Sequence, residues 1–209
     1  MTMSFWNLSD GEDVKSNTTG EFDQGGGRME VIPDNTSVLA AIDEAKWDRT
    51  QDQDRFISLR WNVLAPEEFK NRKIFQKVWV LDPKPNTKPE KVDQVRDKAK
   101  RMLAAIDMNA GGKLLAKGEM PTDESLTSCL TNKPMVIKVM VWEMPDRQTG
   151  GTAQGNWVGA VSPKSSPVST QEEIEKNAAA MAKRPPATGG GMGGGRGGSR
   201  SDMDDEIPF

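Results

Sequence analysis

Two neighbouring stretches of the chain decide the fold. Residues 56–64 read FISLRWNVL, and residues 73–81 read KIFQKVWVL. In both, side chains of opposite character alternate at a spacing of two, which is the period of a half-buried β-strand. Ile57, Leu59 and Trp61 fall on one side of the first stretch. Both stretches are therefore predicted to be strands with one face on a core and the other facing outward.

The flanking sequence supplies the other elements. One strand is predicted before this pair and two after it, at Thr36–Trp47, Met135–Trp142 and Asn156–Val161. A helix that begins at Pro89 and ends before Gly111 lies between the third and fourth strands, followed by a shorter helix at Asp123–Leu130. The order β-β-β-α-β-β predicts a mainly β protein of the OB-fold, a five-stranded Greek-key barrel with a helical insertion between strands 3 and 4. Element order alone also fits other five-stranded folds.

The composition divides the 209 residues into four parts. Only 35% are hydrophobic, 28% are charged and the mean hydropathy is -0.66, which is too polar for a chain that folds throughout. We predict an N-terminal arm at 1–28, an OB-fold domain at 29–163, a flexible linker at 164–201 and an acidic tip at 202–209. The linker contains a short helix, Thr170–Lys183, and then a Gly-rich tether. The C-terminal tail beyond that helix is predicted to be disordered.

The residue types exclude several kinds of function. The chain has no histidine, no tyrosine and one cysteine, Cys129. This removes histidine-based acid/base catalysis, Ser-His-Asp and Cys-His nucleophiles, and His/Cys zinc sites. Residues 107–114 do not complete a phosphate-binding loop, because position 114 is leucine. We expect no enzyme activity, no metal and no cofactor. No apolar run approaches 18 residues, so we expect no membrane partner and a cytoplasmic protein.

The second and third strands carry the candidate functional surface. Aromatic and basic residues alternate on their outward faces, a mixture that suits single-stranded nucleic acid because rings stack on bases while cations follow phosphates. The candidate DNA-binding residues are Phe56, Arg60, Lys73, Phe75, Lys77 and Trp79, with Trp142 and Trp157 as further stacking candidates.

Purely structural roles remain alternatives for several of these residues. Phe75 and Trp79 could pack under the helix that begins at Pro89, and Trp142 and Trp157 could belong to the core. The basic residues of that helix alternate with acidic ones, which is typical of a solvated face.

The last eight residues are the most specific feature. Four acidic side chains precede an apolar end, which is the pattern of a short linear ligand for a basic-rimmed apolar pocket. The partner-binding candidates are Asp202, Asp204, Asp205, Glu206, Ile207, Pro208 and Phe209. This ending resembles the acidic tip of bacterial-type single-stranded DNA-binding proteins, which finish in Asp-Asp-Ile-Pro-Phe; here Glu206 replaces the last Asp.

The remainder of the chain resembles bacteriophage single-stranded DNA-binding proteins more than the bacterial type. The resemblance lies in FWNLSDG at 5–11 and in NRKIF at 71–75, where the third strand begins. It implies a protein of a bacterial host's cytoplasm that coats single-stranded DNA without sequence preference during DNA replication, recombination and repair. It also implies that the tip recruits replication and recombination proteins. A monomer and a homodimer are both consistent with the phage resemblance.

The formal net charge of -3 does not argue against DNA binding, because much of the acid lies near the two ends of the chain. A tip of this charge could fold back over a basic groove and be displaced by DNA. Two other functions remain alternatives. The GRGG stretch at 195–198 and the OB order would also suit an RNA-binding or RNA-chaperone protein, and a non-nucleic-acid adaptor would use the barrel and tail to bind proteins.

Overall fold

A computed structural model describes residues 30–145 and 152–184, and all elements named below belong to the compact unit that begins at Val31. The strands are β1 (Thr36–Arg49), β2 (Arg55–Ala65), β3 (Lys73–Val78), β4 (Met135–Pro145) and β5 (Thr152–Ser162). The helices are α1 (Val92–Ala110), α2 (Lys113–Lys117), α3 (Asp123–Leu130) and α4 (Gln171–Ala182), with short 3-10 turns at Glu67–Phe69 and Pro89–Lys91. The predicted arm, the Gly-rich tether and the acidic tip lie outside the described residues.

The five strands form one antiparallel sheet in the order β3-β2-β1-β4-β5, with the three helices α1–α3 inserted after β3. The prediction of a mainly β chain with a helical insertion between strands 3 and 4 is confirmed. Three strand limits differ from the prediction by three or more residues, and one of them is the end of the fourth strand, which lies at Pro145 instead of Trp142. The third strand ends at Val78 instead of Leu81, because its ladder to β2 ends at the pair Ile57–Val78. The fifth strand begins at Thr152 and pairs with β4 over its whole length.

The sheet curls until its edge strands, β3 and β5, lie side by side. A buried glutamine links them: the Gln76 amide on β3 donates to the Val158 carbonyl on β5 at 3.2 Å. The same amide accepts a 3.1 Å hydrogen bond from the indole of Trp61, which is fully buried. An open sheet joined in this way at its edges is compatible with a barrel-like fold.

The core fills the inside of the curled sheet. Its members include Trp61, Ile42, Ile137 and Val158, all of them with no exposed surface. Alternation along β2 places Trp61 on this inner face, as the sequence predicted. Ile106 of α1 closes the same cluster from the helical side.

The packed chain continues past β5 to α4. Ser169 donates its N–H to the Ser37 carbonyl and accepts the Ser37 N–H on its hydroxyl, both at 2.9 Å. A capping box begins this helix, because Thr170 and Glu173 cap the first turn of α4 reciprocally. Ile174 is buried in the core cluster, so this helix covers part of β1.

Within the described residues, the helices are too short or too polar to cross a bilayer.

Candidate nucleic-acid interface

The outward sides of β2 and β3 form one surface, which we call the outer face and define by Arg60, Lys73, Phe75 and Lys77. The register of β2 against β3 determines this arrangement, because Arg60 lies directly opposite Phe75. Lys73 and Lys77, two residues before and after Phe75, point to the same face of the sheet. The Phe75 ring is 66% exposed although it sits in the middle of a strand. A large apolar ring in water, flanked by cations, is a feature that packing does not explain.

Two predicted members of this surface are buried instead. Phe56 and Trp79 are each 4% exposed, and their ring centroids lie 4.9 Å apart at an interplanar angle of 43°. The expectation that both rings face outward is therefore wrong. Trp79 follows the last residue of β3, so strand alternation no longer directs its side chain. The alternative interpretation, that these rings pack under the helix, is correct for Trp79 but wrong for Phe75, which is exposed.

Lys77 sits above this buried ring pair. Its Nζ lies 4.9 Å from the centroid of the Phe56 ring, in the position of a cation–π contact. The two buried rings therefore pack beneath Lys77 and are not exposed to a ligand.

Two neighbouring acids on β1 reach the outer face. The register of β1 against β2 shifts between Ile42 and Glu44, and this irregularity lets Asp43 and Glu44 both contact Arg60. The Arg60 guanidinium lies 2.8 Å from Asp43 Oδ1 and 2.6 Å from Glu44 Oε2. Lys73 Nζ also binds Asp43, at 2.5 Å from Oδ2. The sequence shows the two adjacent acids but not the register shift, so the pattern of strands 2 and 3 did not predict their contact with Arg60.

These ion pairs favour the charged forms of Asp43, Glu44 and Arg60. Partial burial by itself would raise the pKa of Asp43, but hydrogen bonds and charge from Lys73 and Arg60 outweigh it and lower that pKa. The hydrogen bond from Lys46, and then the charge of Arg60, lower the pKa of Glu44. The hydrogen bond to Asp43 raises the pKa of Arg60. An incoming anion must therefore compete with carboxylates for two of the three cations.

Trp142 and Trp157 lie on the outward side of β4 and β5, and both are half-buried rather than core residues. Trp142 faces Gly155 across the two strands, and Trp157 faces Met140. A Cβ at position 155 would come within 2.4 Å of the Trp142 ring, so the absent side chain is what lets the indole lie against the neighbouring strand. Both rings retain exposed surface that could stack on a base.

A cleft between α1, β3 and β5 was not predicted from the sequence. It has a volume of about 420 Å³, and we call it the helix cleft. Its aromatic and basic lining residues are Trp79, Trp157, Lys77, Lys84, Lys98 and Arg101. The alternation of charge along the helix suggested only a solvated face, whereas the fold turns Lys98 and Arg101 toward the sheet edge.

The described residues contain no cluster of three or more Cys, Asp or Glu side chains that could hold a metal ion. Comparison with protein families and with curated protein sequences finds no match to this chain.

Proposed function

We propose that this protein binds single-stranded DNA without sequence specificity, using the outer face as its main contact surface. The exposed Phe75 ring carries the proposal. It is a platform on which a base can stack, and cations lie beside it on both β2 and β3. Unpaired bases gain about 1–3 kcal/mol each from stacking on aromatic side chains, and this gain does not depend on base identity. Arg60, Lys73 and Lys77 supply the charge that follows a phosphate backbone.

The fold supports the same proposal. The sheet order, the helices inserted after β3 and the Gln76 link between the edge strands suit an OB-fold, whose strands 2 and 3 are its usual nucleic-acid surface. We therefore extend the resemblance to a bacteriophage-type single-stranded DNA-binding protein. On this proposal it protects DNA during replication, recombination and repair.

The acidic tip at 202–209 is proposed to recruit replication and recombination proteins. Its sequence supports this, since an acidic run before Ile207-Pro208-Phe209 suits a basic-rimmed apolar pocket on a partner. Deleting 202–209 should abolish partner binding and raise DNA affinity modestly at low salt, because four competing negative charges are lost. Unchanged binding of a purified host replication or recombination protein that binds the full-length chain would contradict the assignment.

The direct test is the substitution Phe75→Ala, with fluorescence anisotropy of a labelled oligo-dT as the readout. We expect affinity to fall about 5- to 150-fold, the equivalent of one lost stacking platform. Leu115→Ala is the matched control, since Leu115 is also a large, 59% exposed apolar side chain but lies on α2.

Equal affinities for the wild type, Phe75→Ala and Leu115→Ala would overturn the assignment of the outer face. Matched oligo-U in competition distinguishes the RNA-binding alternative, because preferential displacement by RNA would make that the function. An adaptor would bind neither oligonucleotide.

A further inference from the structure

The helix cleft has walls of different character. Val95, Ala99 and Met102 form an apolar strip on α1, and the β5 stretch 157–161 lies opposite. Its volume of about 420 Å³ is within the range of roughly 300–1,000 Å³ that is usual for sites that bury small ligands. The cleft is therefore large enough to take in part of a ligand rather than a bound water alone.

The charges around the cleft all have one sign. Within the part of the chain that the structure describes, four cations line it and no carboxylate does, although the whole chain is net negative. Helix α1 achieves this by sorting its charges around its circumference. Lys98 and Arg101, three residues apart, share the cleft side, whereas Asp93 lies elsewhere and pairs with Arg96 at 3.2 Å. A cleft lined in this way favours an anionic ligand.

A buried donor on the wall of the cleft lacks an acceptor. The indole Nε1 of Trp79 is inaccessible and has no hydrogen-bond partner among the residues that the structure describes. An indole N–H can only donate, and leaving a buried polar group unpaired is unfavourable. Because this nitrogen is inaccessible, a ligand oxygen can pair with it only if the Trp79 side chain moves. Trp157, half-buried on the same cleft, offers a ring to a planar partner.

The cleft is continuous with the outer face. Lys77 belongs to both surfaces, and it lies two residues beyond Phe75 on the same side of β3. Two residues of a strand span only about 7 Å. A chain of linked nucleotides that lies on Phe75 can thus continue past Lys77 and enter the helix cleft.

We infer that the helix cleft is a second nucleotide subsite, which takes a base and its phosphate from the same DNA strand that the outer face holds. The inference rests on the proposed function. Anionic phosphate matches the four cations of the cleft, and a planar base matches the Trp157 ring. Oligonucleotides too short to reach the cleft gain nothing from it, whereas longer ones do.

The test compares Lys98→Glu with Lys100→Glu over a series of labelled oligo-dT lengths. Both lysines are exposed on α1 and differ by two positions, but only Lys98 lines the helix cleft; Lys100 lines a separate groove on the other side of α1. The matched charge change cancels the general electrostatic effect on affinity. With short oligonucleotides, we expect the two variants to bind with equal affinity, each weaker than the wild type by the same general electrostatic effect. With longer ones, Lys98→Glu should lose about 10-fold relative to Lys100→Glu.

Two further readouts complete the experiment. Arg101→Gln should show the same length-dependent loss, and the salt slope of Lys98→Glu with long oligonucleotides should be shallower by about 0.7. Equal affinities of Lys98→Glu and Lys100→Glu at every length would overturn the subsite while leaving the outer face intact. If the wild type binds no oligonucleotide of any length, the proposed function itself fails.

Discussion

The outer face and the helix cleft use the same kinds of residue in opposite ways. On the outer face, Arg60 and Lys73 are held by Asp43 and Glu44, and the aromatic ring, Phe75, stands free in water. In the helix cleft, none of the described lining residues is a carboxylate, and the ring of Trp157 is half-covered. The outer face is therefore suited to a ligand that binds and leaves readily, whereas the helix cleft is suited to enclosing part of a ligand. The difference teaches that cations in a sequence do not define a binding surface until the positions of the acids are known.

The largest effect is expected from removing Phe56, one ring of the buried Phe56–Trp79 pair beneath Lys77. Phe56→Ala deletes a buried ring that packs on Trp79 and underlies Lys77, so the free energy of unfolding should fall by about 3–5 kcal/mol. Phe75→Ala is the matched control, and as a surface change it should alter stability by no more than about 0.5 kcal/mol. Urea unfolding followed by circular dichroism measures both. Similar losses in the two variants would mean that Phe75 is a core residue.

A smaller loss should follow from breaking the link between the two sheet edges. Gln76→Ala leaves the Trp61 indole and the Val158 carbonyl without their partner, which should lower the free energy of unfolding by about 2–4 kcal/mol. Gln94→Ala, at an exposed position of α1, is the control and should leave the free energy of unfolding within about 0.5 kcal/mol of the wild-type value. Equal urea midpoints for these two variants would show that the link does not hold β3 to β5.

The carboxylates of the outer face should weaken DNA binding there. Asp43→Asn releases Lys73 and one of the two contacts of Arg60, so oligo-dT affinity should rise roughly 3- to 10-fold at low salt. The additional affinity that longer oligonucleotides gain from the helix cleft should not change. Anisotropy titrations over the same length series measure both quantities. An affinity equal to or below that of the wild type would indicate that Asp43 positions Arg60 and Lys73 rather than competing with DNA.

Acid should release the same ion pair with a smaller effect on stability. The pKa of Asp43 is lower in the folded protein than the value of about 3.9 in an unfolded chain, so the unfolded state binds more protons in this range. Its contribution is fully present above about pH 4 and is lost as pH falls through the folded pKa. The free energy of unfolding should therefore drop less steeply below about pH 4 in Asp43→Asn than in wild type. Identical slopes in urea titrations would exclude a stabilising ion pair.

The sequence predicts local features well where a single element determines them. Alternation along 56–64, the helix at Asp123–Leu130 and the capping box of Thr170 and Glu173 all depend on neighbours within a few residues. The exposed face of β2 and β3 follows from the same alternation. For this reason the order of strands and helices could be predicted.

What the sequence could not predict depends on how elements meet. The burial of Trp79 follows from the end of the β3 ladder at Val78, and the ion pairs of Asp43 follow from a register shift in β1. The helix cleft exists only because α1 packs beside two strand edges that are 82 residues apart at the Gln76–Val158 link. No local pattern contains that information.

The central claim is that a cationic and aromatic surface binds single-stranded DNA, and its salt dependence tests this most directly. Labelled oligo-dT is titrated with the full-length protein at several salt concentrations, while tryptophan emission is recorded. We predict quenched emission and a linear fall of log affinity with log salt, with a slope of about -0.7 per phosphate contact. A flat salt response with unchanged emission would contradict DNA binding and favour a protein-binding adaptor.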